Sequence, residues 1–276
     1  MDRLRITCLV DNGVMHGSRL WGEHGLSFLI EMGSAKVLWD TGQTKDVLWH
    51  NLHALGLEQL EPTAVGLSHA HYDHTGGLAS LLERYPDLSV YAHQSLFRPR
   101  YSSRQGKPVQ IGLSNREQIL RQRADLHLSA EPQRLAESIW TTGTITPRPY
   151  PQGASARHAM RVGGQMLPDD YADDMSLVIR LGSGIIVVCG CCHAGLRNTL
   201  GVVRERFEAP IMAILGGTHL VHADQEELKA LSALLQKENG PALYLNHCTG
   251  EKALWYLQQV FGDRVTPCPA GKVVEF

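Results

Sequence analysis

Short apolar runs, rich in β-branched residues and closed by turn residues, recur along the chain. Runs of this length and composition predict β-strands. The predicted strands cover residues 5–10, 26–31, 36–39, 64–67, 89–92, 138–142, 176–181, 184–188, 211–215, 242–245 and 272–276.

Between several of these runs, apolar residues recur at three- and four-residue spacing, which predicts amphipathic helices. The predicted helices cover residues 44–55, 77–85, 196–207, 224–238 and 251–261. The first half of the chain opens with strands, whereas the second half alternates strand and helix. This mixture predicts an α/β fold in which two mixed sheets pack together with helices on their outer faces, an αββα sandwich.

The segment from about residue 93 to residue 174 interrupts this rhythm. Its first part is rich in arginine, its second part is rich in proline, and it has few long apolar runs. A long irregular segment in a compact domain is typical of a lid, a binding loop or a disordered stretch. We therefore predict a single domain over residues 1–276, with an insertion or lid at about 93–174.

Composition and charge narrow the class of protein. The chain has 276 residues, of which 43% are hydrophobic and 20% charged, as in globular proteins with a sizeable core. The formal net charge of -2 gives no overall attraction to nucleic acid or to an anionic membrane, so we expect a small-molecule partner. Scattered cysteines and a start without a secretion signal predict reduced thiols and a cytoplasmic protein. The oligomeric state is left open.

One six-residue segment carries four metal-binding side chains: His69, His71, Asp73 and His74. It follows the apolar run 64–67 and precedes two glycines and a predicted helix, which places it on a loop at the end of a strand. Imidazole and carboxylate groups suit zinc, iron or manganese. The alternative is a polar surface loop, although isolated histidines seldom cluster in this way. The segment therefore predicts a metal site.

Three later histidines occupy similar positions. His193 and His247 each follow an apolar run and precede a predicted helix, so both belong on the same rim as the first segment. His219 also follows an apolar run, after two glycines. It could donate to substrate, join the metal site or be an ordinary loop residue.

The segment 69–74 resembles the HxHxDH signature of the metallo-β-lactamase superfamily. The resemblance implies that His69 and His71 bind one metal and that Asp73 and His74 bind another. It implies His193 as the third ligand of the first metal and His247 as the last ligand of the second. Residues 37–42 are similar to the strand-Asp-Thr-Gly motif of the superfamily, in which the aspartate, here Asp40, orients the ligands from behind.

The chain departs from the common superfamily pattern after the strand 184–188. Many members carry a bridging aspartate there and a ligand histidine about two dozen residues upstream, whereas this chain has Cys191 and the aspartates Asp173 and Asp174. We expect Cys191 and Cys248 beside the metals, with Cys191 supporting the ligands. Two divalent ions are expected, with zinc favoured over iron or manganese. Because the bridging aspartate is missing, binding of the second ion requires another group in its place.

Further motifs at residues 9–12, 23–31, 191–195, 216–220 and 247–250 together resemble the dihydropterin-6-methyl-(ribofuranosyl)aminobenzene-phosphate-synthase-like branch. That resemblance implies a transferase that releases pyrophosphate. The leading hypothesis is a metal-dependent hydrolase-type enzyme acting on a small phosphorylated or ester-bearing molecule, with Asp73 and His219 as catalytic residues. The transferase and a non-catalytic metal sensor are the alternatives.

Basic residues cluster within the predicted insertion, and other histidines are scattered through the chain. An excess of arginine between residues 98 and 125 could attract an anionic substrate or could be a solvated face. Histidines without convergent spacing are assigned to surface roles. They are His16, His50, His53, His93, His127, His158 and His222.

Overall fold

The computed structural model of the protein describes residues 3–113, 116–237 and 240–276. The end of the predicted helix 224–238, at Glu238, lies outside the described residues. Within the described ranges no helix is long and apolar enough to cross a membrane.

Two seven-stranded mixed sheets form the body of the described chain. The first contains, in spatial order, β18 (Val273–Glu275), β1 (Leu4–Val10), β2 (Ser27–Met32), β3 (Ala35–Trp39), β4 (Ala64–Gly66), β5 (Leu88–Ala92) and β8 (Ala124–Leu128). The second contains β17 (Val265–Pro267), β16 (Ala242–Leu245), β15 (Ile211–Gly216), β14 (Gly184–Cys189), β13 (Ser176–Leu181), β10 (Ile139–Thr141) and β9 (Arg134–Ala136).

Helices lie on the outer faces of both large sheets. A third, four-stranded sheet is separate from the two large ones. The helices are α1 (Lys45–Ala54), α2 (Tyr72–Thr75), α3 (Leu78–Arg84), α4 (Glu117–Arg123), α5 (Leu196–Phe207), α6 (Gln225–Lys237) and α7 (Glu251–Phe261). The third sheet contains β12 (Gln165–Pro168), β11 (His158–Val162), β6 (Arg100–Arg104) and β7 (Lys107–Gln110).

Alternate residues of the central strands enter different apolar layers. In β3, Val37 and Trp39 pack between the two large sheets, whereas Leu38 packs with α1 and α3. In β14, Val188 packs between the sheets and Val187 packs with α5, α6 and α7. A strand that is buried on both faces needs a continuous apolar run, which is why these strands were visible in the sequence. The predicted αββα sandwich is confirmed.

The predicted insertion at 93–174 does not lie wholly outside the sandwich. Its strands β8, β9 and β10 extend the edges of the two large sheets, and only β6, β7, β11 and β12 form the separate sheet. Those four strands are short, mix polar with apolar residues and are mostly exposed or half-buried, so they lack the long apolar runs that reveal a buried strand. A single domain over the whole chain stays a prediction.

Parallel pairing brings several strand ends to one edge of the sandwich. In the first sheet β3 and β4 are parallel, and in the second sheet β14, β15 and β16 are parallel. The carboxyl ends of parallel strands share an edge, which is where α/β proteins place functional loops. Every residue assigned to the site from the sequence follows one of these five strands.

Candidate metal centre

Three histidines from two loops form the first ligand group. Ring centroids lie 4.5 Å apart for His69 and His71, 5.0 Å for His69 and His193, and 5.1 Å for His71 and His193. The Nε2 atom of each ring is buried and has no hydrogen-bond partner among the described residues. A buried nitrogen without a partner costs free energy, so three of them side by side fit a bound cation.

Asp73, His74 and His247 form the second ligand group. The Nε2 atoms of His74 and His247 lie 3.2 Å apart, and each lies 3.5 Å from Asp73 Oδ2. Two imidazoles and a carboxylate are a donor set that suits a divalent first-row metal. This group could therefore hold a second cation beside the first.

The thiol of Cys191 lies between the two groups. Its Sγ atom is 3.1 Å from His74 Nε2, and it lies within 4.8 Å of ligand atoms in both groups. That position is closer than the supporting one predicted from the sequence. With His219 and Cys248, the same thiol also belongs to a third group whose ligand atoms lie within 4.8 Å of one another.

Burial sets the protonation of the first group. It is the main cause that holds the pKa of His69, His71 and His193 well below the ordinary value, and positive charge on neighbouring histidines adds to it. These imidazoles are neutral near pH 7, which is the form that binds a metal.

In the second ligand group, interactions between charged side chains determine the protonation of Asp73 and His74. Burial alone would raise the pKa of Asp73, but interactions with His74 and His247 outweigh it and hold that pKa well below the usual range. Burial alone would lower the pKa of His74, but the carboxylates of Asp40 and Asp73 raise it to about 9. A cation that binds here must therefore displace a proton from His74.

Asp40 and Ser68 hold two of the histidines in place. Asp40 Oδ2 lies 2.7 Å from His74 Nδ1, and it also accepts a hydrogen bond from the Ser68 hydroxyl at 2.7 Å. The Ser68 backbone N–H donates to Asp40 Oδ1 at 2.7 Å, and the Ser68 hydroxyl lies 2.9 Å from His69 Nδ1. These contacts fix ring orientation and leave both Nε2 atoms turned to the site.

A backbone carbonyl oxygen and a side-chain amide oxygen orient the rings of two other histidines, His193 and His247. His193 Nδ1 lies 2.8 Å from the carbonyl oxygen of Gly153, and His247 Nδ1 lies 3.0 Å from Asn12 Oδ1. The His247 backbone N–H also donates to Asp11 Oδ1 at 2.8 Å. Orientation through the second ring nitrogen is typical of histidines that ligate metals.

Left-handed backbone conformations concentrate at this edge. The φ angles of Asp40, Cys192, His219 and His247 are 60°, 61°, 48° and 51°. Non-glycine residues adopt this region at a cost in free energy and cluster at functional sites when they do. The strained positions favour a functional role for the cluster.

A replacement at Gly190 is expected to disturb the support behind the ligands. A Cβ atom there would collide with the Ser68 hydroxyl and lie 3.1 Å from Asp40 Oδ2. We expect Gly190→Ala to weaken metal affinity by about 10–100-fold, as loss of groups that orient ligands does. A competition titration with a chelator measures this. Gly201→Ala is the control, since its Cβ would meet no atom within 4 Å, and equal affinities in the two variants would contradict the expectation.

Arg100 lies in the basic segment of the sequence but is completely buried. Its Nε lies 3.3 Å from Asp169 Oδ2 and its Nη2 lies 2.7 Å from Asp173 Oδ1. Asp173 Oδ2 accepts a hydrogen bond from the backbone N–H of Ala70 at 2.9 Å, inside the histidine loop. Arg100 therefore contacts the histidine loop through Asp173, and its buried charge is not available to a substrate.

Asp174 anchors the second histidine loop in the same way. Its Oδ2 accepts a hydrogen bond from the backbone N–H of Ala194 at 2.9 Å, next to His193. Burial raises the pKa of Asp174 to about 6. Asp173 and Asp174 thus hold the backbone of the two loops.

Three residues at the site were missed in the sequence. His24 Nε2 lies 3.3 Å from Asp73 Oδ2, and the His24 ring stacks on that of His247 at 5.1 Å. Tyr171 stacks on His193 at 4.3 Å, and its hydroxyl lies 3.0 Å from His158 Nδ1. Neither His24 nor His158 has ligand spacing, and Tyr171 lies in the irregular segment, so only the fold reveals them.

Two histidines depart from their predicted surface roles. The His158 ring lies 5.2 Å from that of His71, and burial, with positive charge on His219 and Arg157, lowers the pKa of His158 to about 4. His93 is buried and bonds through its two nitrogens to Ser95 and Thr144. The predicted surface role was wrong for His93 and His158, because residues distant in sequence pack against their rings: Thr144 against His93, and His71 against His158.

A cavity of about 450 Å³ lies beside His219. His219 lies in its wall, with its ring 4.4 Å from that of His193 and its buried Nδ1 without a partner among the described residues. Other residues of the wall include Gln152, Gly153, Arg197, Thr218 and His222. The predicted catalytic histidine therefore stands between the ligand groups and a space large enough for a small molecule.

Comparison with known proteins identifies the family. The family model for the metallo-beta-lactamase superfamily matches residues 20–245. The 7,8-dihydropterin-6-methyl-4-(β-D-ribofuranosyl)-aminobenzene-5'-phosphate synthase of Methanocaldococcus jannaschii is 27% identical, over 100% of this chain and 98% of its own. The uncharacterized protein MJ0448 of the same organism is 31% identical, over 92% of this chain and 94% of its own.

A solved structure agrees along nearly the whole length. Tm1679, described as a metal-dependent hydrolase of the β-lactamase superfamily, superposes with a TM-score of 0.84 at 25% identity, covering 99% of both chains. The resemblance to the pterin-synthase-like branch found in the sequence is confirmed by the full-length match to the M. jannaschii synthase. The chain belongs to the metallo-β-lactamase superfamily.

Proposed function

We propose that the protein binds two divalent metal ions, zinc being favoured, and is a hydrolase-type enzyme. His69, His71 and His193 would hold the first ion, and Asp73, His74 and His247 the second. Cys191 would take the place of the usual bridging aspartate, because its sulfur lies within reach of both groups. A thiolate is a strong ligand for zinc, which supports this assignment.

The three buried Nε2 atoms of the first group carry the proposal. Folding has removed these atoms from water without providing a hydrogen-bond partner among the described residues. In His69 and His193 the other ring nitrogen, Nδ1, does have a partner. Such an arrangement is unfavourable unless a cation occupies the space between the rings.

The chain's own residues would divide the chemistry between them. A metal pair held by these residues would supply Lewis-acid polarisation of an ester or phosphoryl oxygen. Asp73 Oδ2 is an ionised acceptor that can orient the attacking group. His219 lines the cavity and can give a proton to the departing oxygen.

A small phosphorylated or ester-bearing molecule is the proposed substrate. The 450 Å³ cavity beside His219 fits a small molecule, and the solved structure of Tm1679 is described as that of a hydrolase. The second candidate is a transferase that releases pyrophosphate, which the full-length similarity to the M. jannaschii synthase favours. A non-catalytic metal sensor is the third candidate.

One experiment separates the three. The metal content of the zinc-loaded protein is measured by elemental analysis. The same protein is assayed in ¹⁸O-labelled water against ester, lactone, thioester and phosphodiester substrates, and against a pterin pyrophosphate together with an aminobenzene ribofuranosyl phosphate. A hydrolase binds two equivalents of metal and places ¹⁸O in one product. A transferase releases pyrophosphate from a pterin substrate and forms a coupled product without the label. No turnover on any substrate, together with a ligand-induced rise in melting temperature, would overturn the enzyme proposal in favour of the sensor.

Replacement of His219 tests its proton-donating role. We expect His219→Gln to lower kcat by about 100-fold with both metal equivalents retained, since general acid catalysis contributes on that order. His222→Gln, a change of the same type in the same cavity wall, is expected to leave kcat within about twofold. Metal loss in His219→Gln would instead make His219 a ligand and contradict the assignment.

A further inference from the structure

His24 lies beside the second ligand group but belongs to none of the groups of described residues whose ligand atoms lie within 4.8 Å of one another. Its Nε2 atom is 3.3 Å from Asp73 Oδ2, and its ring stacks on that of His247 with 5.1 Å between the centroids. The His24 side chain is 55% exposed, whereas those of Asp73 and His247 are 7% and 0% exposed. His24 is therefore a solvent-facing imidazole in contact with the proposed ligands.

The backbone on both sides of His24 is fixed against the site. Glu23 Oε1 accepts a hydrogen bond from the Thr44 N–H at 3.0 Å, and Glu23 Oε2 accepts one from the Thr44 hydroxyl at 2.7 Å. Two residues after His24, the Leu26 N–H donates to the carbonyl oxygen of Asp73 at 3.2 Å. A loop anchored in this way presents its imidazole in one place, which lowers the entropic cost of binding a molecule there.

The hydrogen-bonding capacity of the His24 ring is not used within the described part of the chain. The 3.3 Å approach to Asp73 Oδ2 is a close electrostatic contact, and neither ring nitrogen forms a hydrogen bond with a residue that the structure describes. His247, on which the ring stacks, differs because its Nδ1 lies 3.0 Å from Asn12 Oδ1. A fixed, exposed polar group of this kind beside a metal centre can bind a small molecule directly.

We propose that His24 is a substrate-binding residue, whose imidazole N–H donates a hydrogen bond to a phosphoryl or carbonyl oxygen of the substrate at the second ligand group. His24 would lie beside the second group as His219 lies beside the first, where the rings of His219 and His193 are 4.4 Å apart. The oxygen-binding role of His24 rests on the proposed function, because it assumes that substrate reaches the two ligand groups.

Phosphate binding to the full-length protein, loaded with zinc and freed of excess metal, tests this role. Isothermal titration with inorganic phosphate, which offers phosphoryl oxygens without turnover, compares the wild type with His24→Ala. We expect the Kd for phosphate to rise by about tenfold, since a hydrogen bond to a charged group is lost. Metal content of the same samples is expected to stay unchanged. Loss of metal in His24→Ala would make His24 a ligand and overturn the proposal.

His24→Gln separates hydrogen bonding from ring packing. Glutamine keeps an N–H donor but has no ring to stack on His247. We therefore expect the Kd for phosphate in this variant to stay within about threefold of the wild-type value. If the Kd rose equally in His24→Gln and His24→Ala, only the packing of the ring would matter, and the oxygen-binding role would be rejected.

His16→Ala is the matched control. His16 is an exposed histidine in the same connection between β1 and β2, and it belongs to no ligand group. Its loss is expected to change the Kd for phosphate by less than about twofold. An unchanged Kd in His24→Ala would show that the metals bind phosphate without His24, and an equal rise in the control would show a nonspecific effect. Either result overturns the oxygen-binding role.

Failure of the oxygen-binding role and failure of the proposed function give different results. A protein that hydrolyses esters but binds phosphate equally well without His24 keeps the function and loses the role of His24. A protein that binds phosphate through His24 but shows no turnover in the labelled-water assay keeps that role and loses the hydrolase proposal.

Discussion

Replacing His69 or His71 with alanine is expected to remove most of the bound metal. Each change takes one of three neighbouring nitrogen donors from the first group, and catalytic metal sites depend on three protein ligands. His247→Ala is expected to lose only about one of two equivalents, because it removes a donor from the second group alone. Elemental analysis of the purified variants measures both results.

His53→Ala provides the control for this experiment. His53 is an exposed residue in the last turn of α1 and belongs to neither ligand group, so we expect the variant to retain both equivalents. Two equivalents of metal in the His69, His71 and His247 variants would reject the ligand assignment.

Replacing Arg100 with methionine is expected to lower the free energy of unfolding by about 3–5 kcal/mol, the usual cost of removing one partner from a buried ion pair. Methionine keeps much of the volume but leaves Asp169 and Asp173 without their cation. Asp173 also binds the backbone of the histidine loop, so the damage extends to the site. Urea unfolding at a fixed, saturating zinc concentration measures the change.

Arg98→Met is the matched control for Arg100→Met. Arg98 pairs with Asp170 at 3.0 Å, but the two side chains are 34% and 46% exposed. Water screens such a pair, so its loss is expected to cost no more than about 1 kcal/mol. Equal costs in the two variants would show that the buried network around Arg100 adds nothing to stability.

Much of the fold was predictable because its central strands are buried on both faces. The strands 176–181 and 242–245 and the helices 196–207 and 251–261 were predicted with the bounds that the structure has. The strands of the third sheet were missed because they are short and mostly exposed, and they carry neither a long apolar run nor a clear alternation. That sheet consists of two local hairpins, β6–β7 and β11–β12, and the pairing of β6 with β11 that joins them links residues distant in sequence, which no local pattern records.

The site, like the fold, was only partly predictable from the sequence. The sequence by itself determined that His69, His71, Asp73 and His74 lie on one loop, because a local spacing and a preceding apolar run are both properties of a short segment. It also indicated that His193, His219 and His247 follow strands. All of these residues meet at one edge of the sandwich.

Only the tertiary structure decided what surrounds these ligands. It brought the Cys191 thiol between the two groups, buried Arg100 among aspartates and placed the Arg104 guanidinium beside the Tyr72 hydroxyl. In the sequence Arg100 and Arg104 are equivalent members of one basic segment. Their roles differ because burial and the partners available in space, which depend on contacts between distant segments, determine what a charge can do.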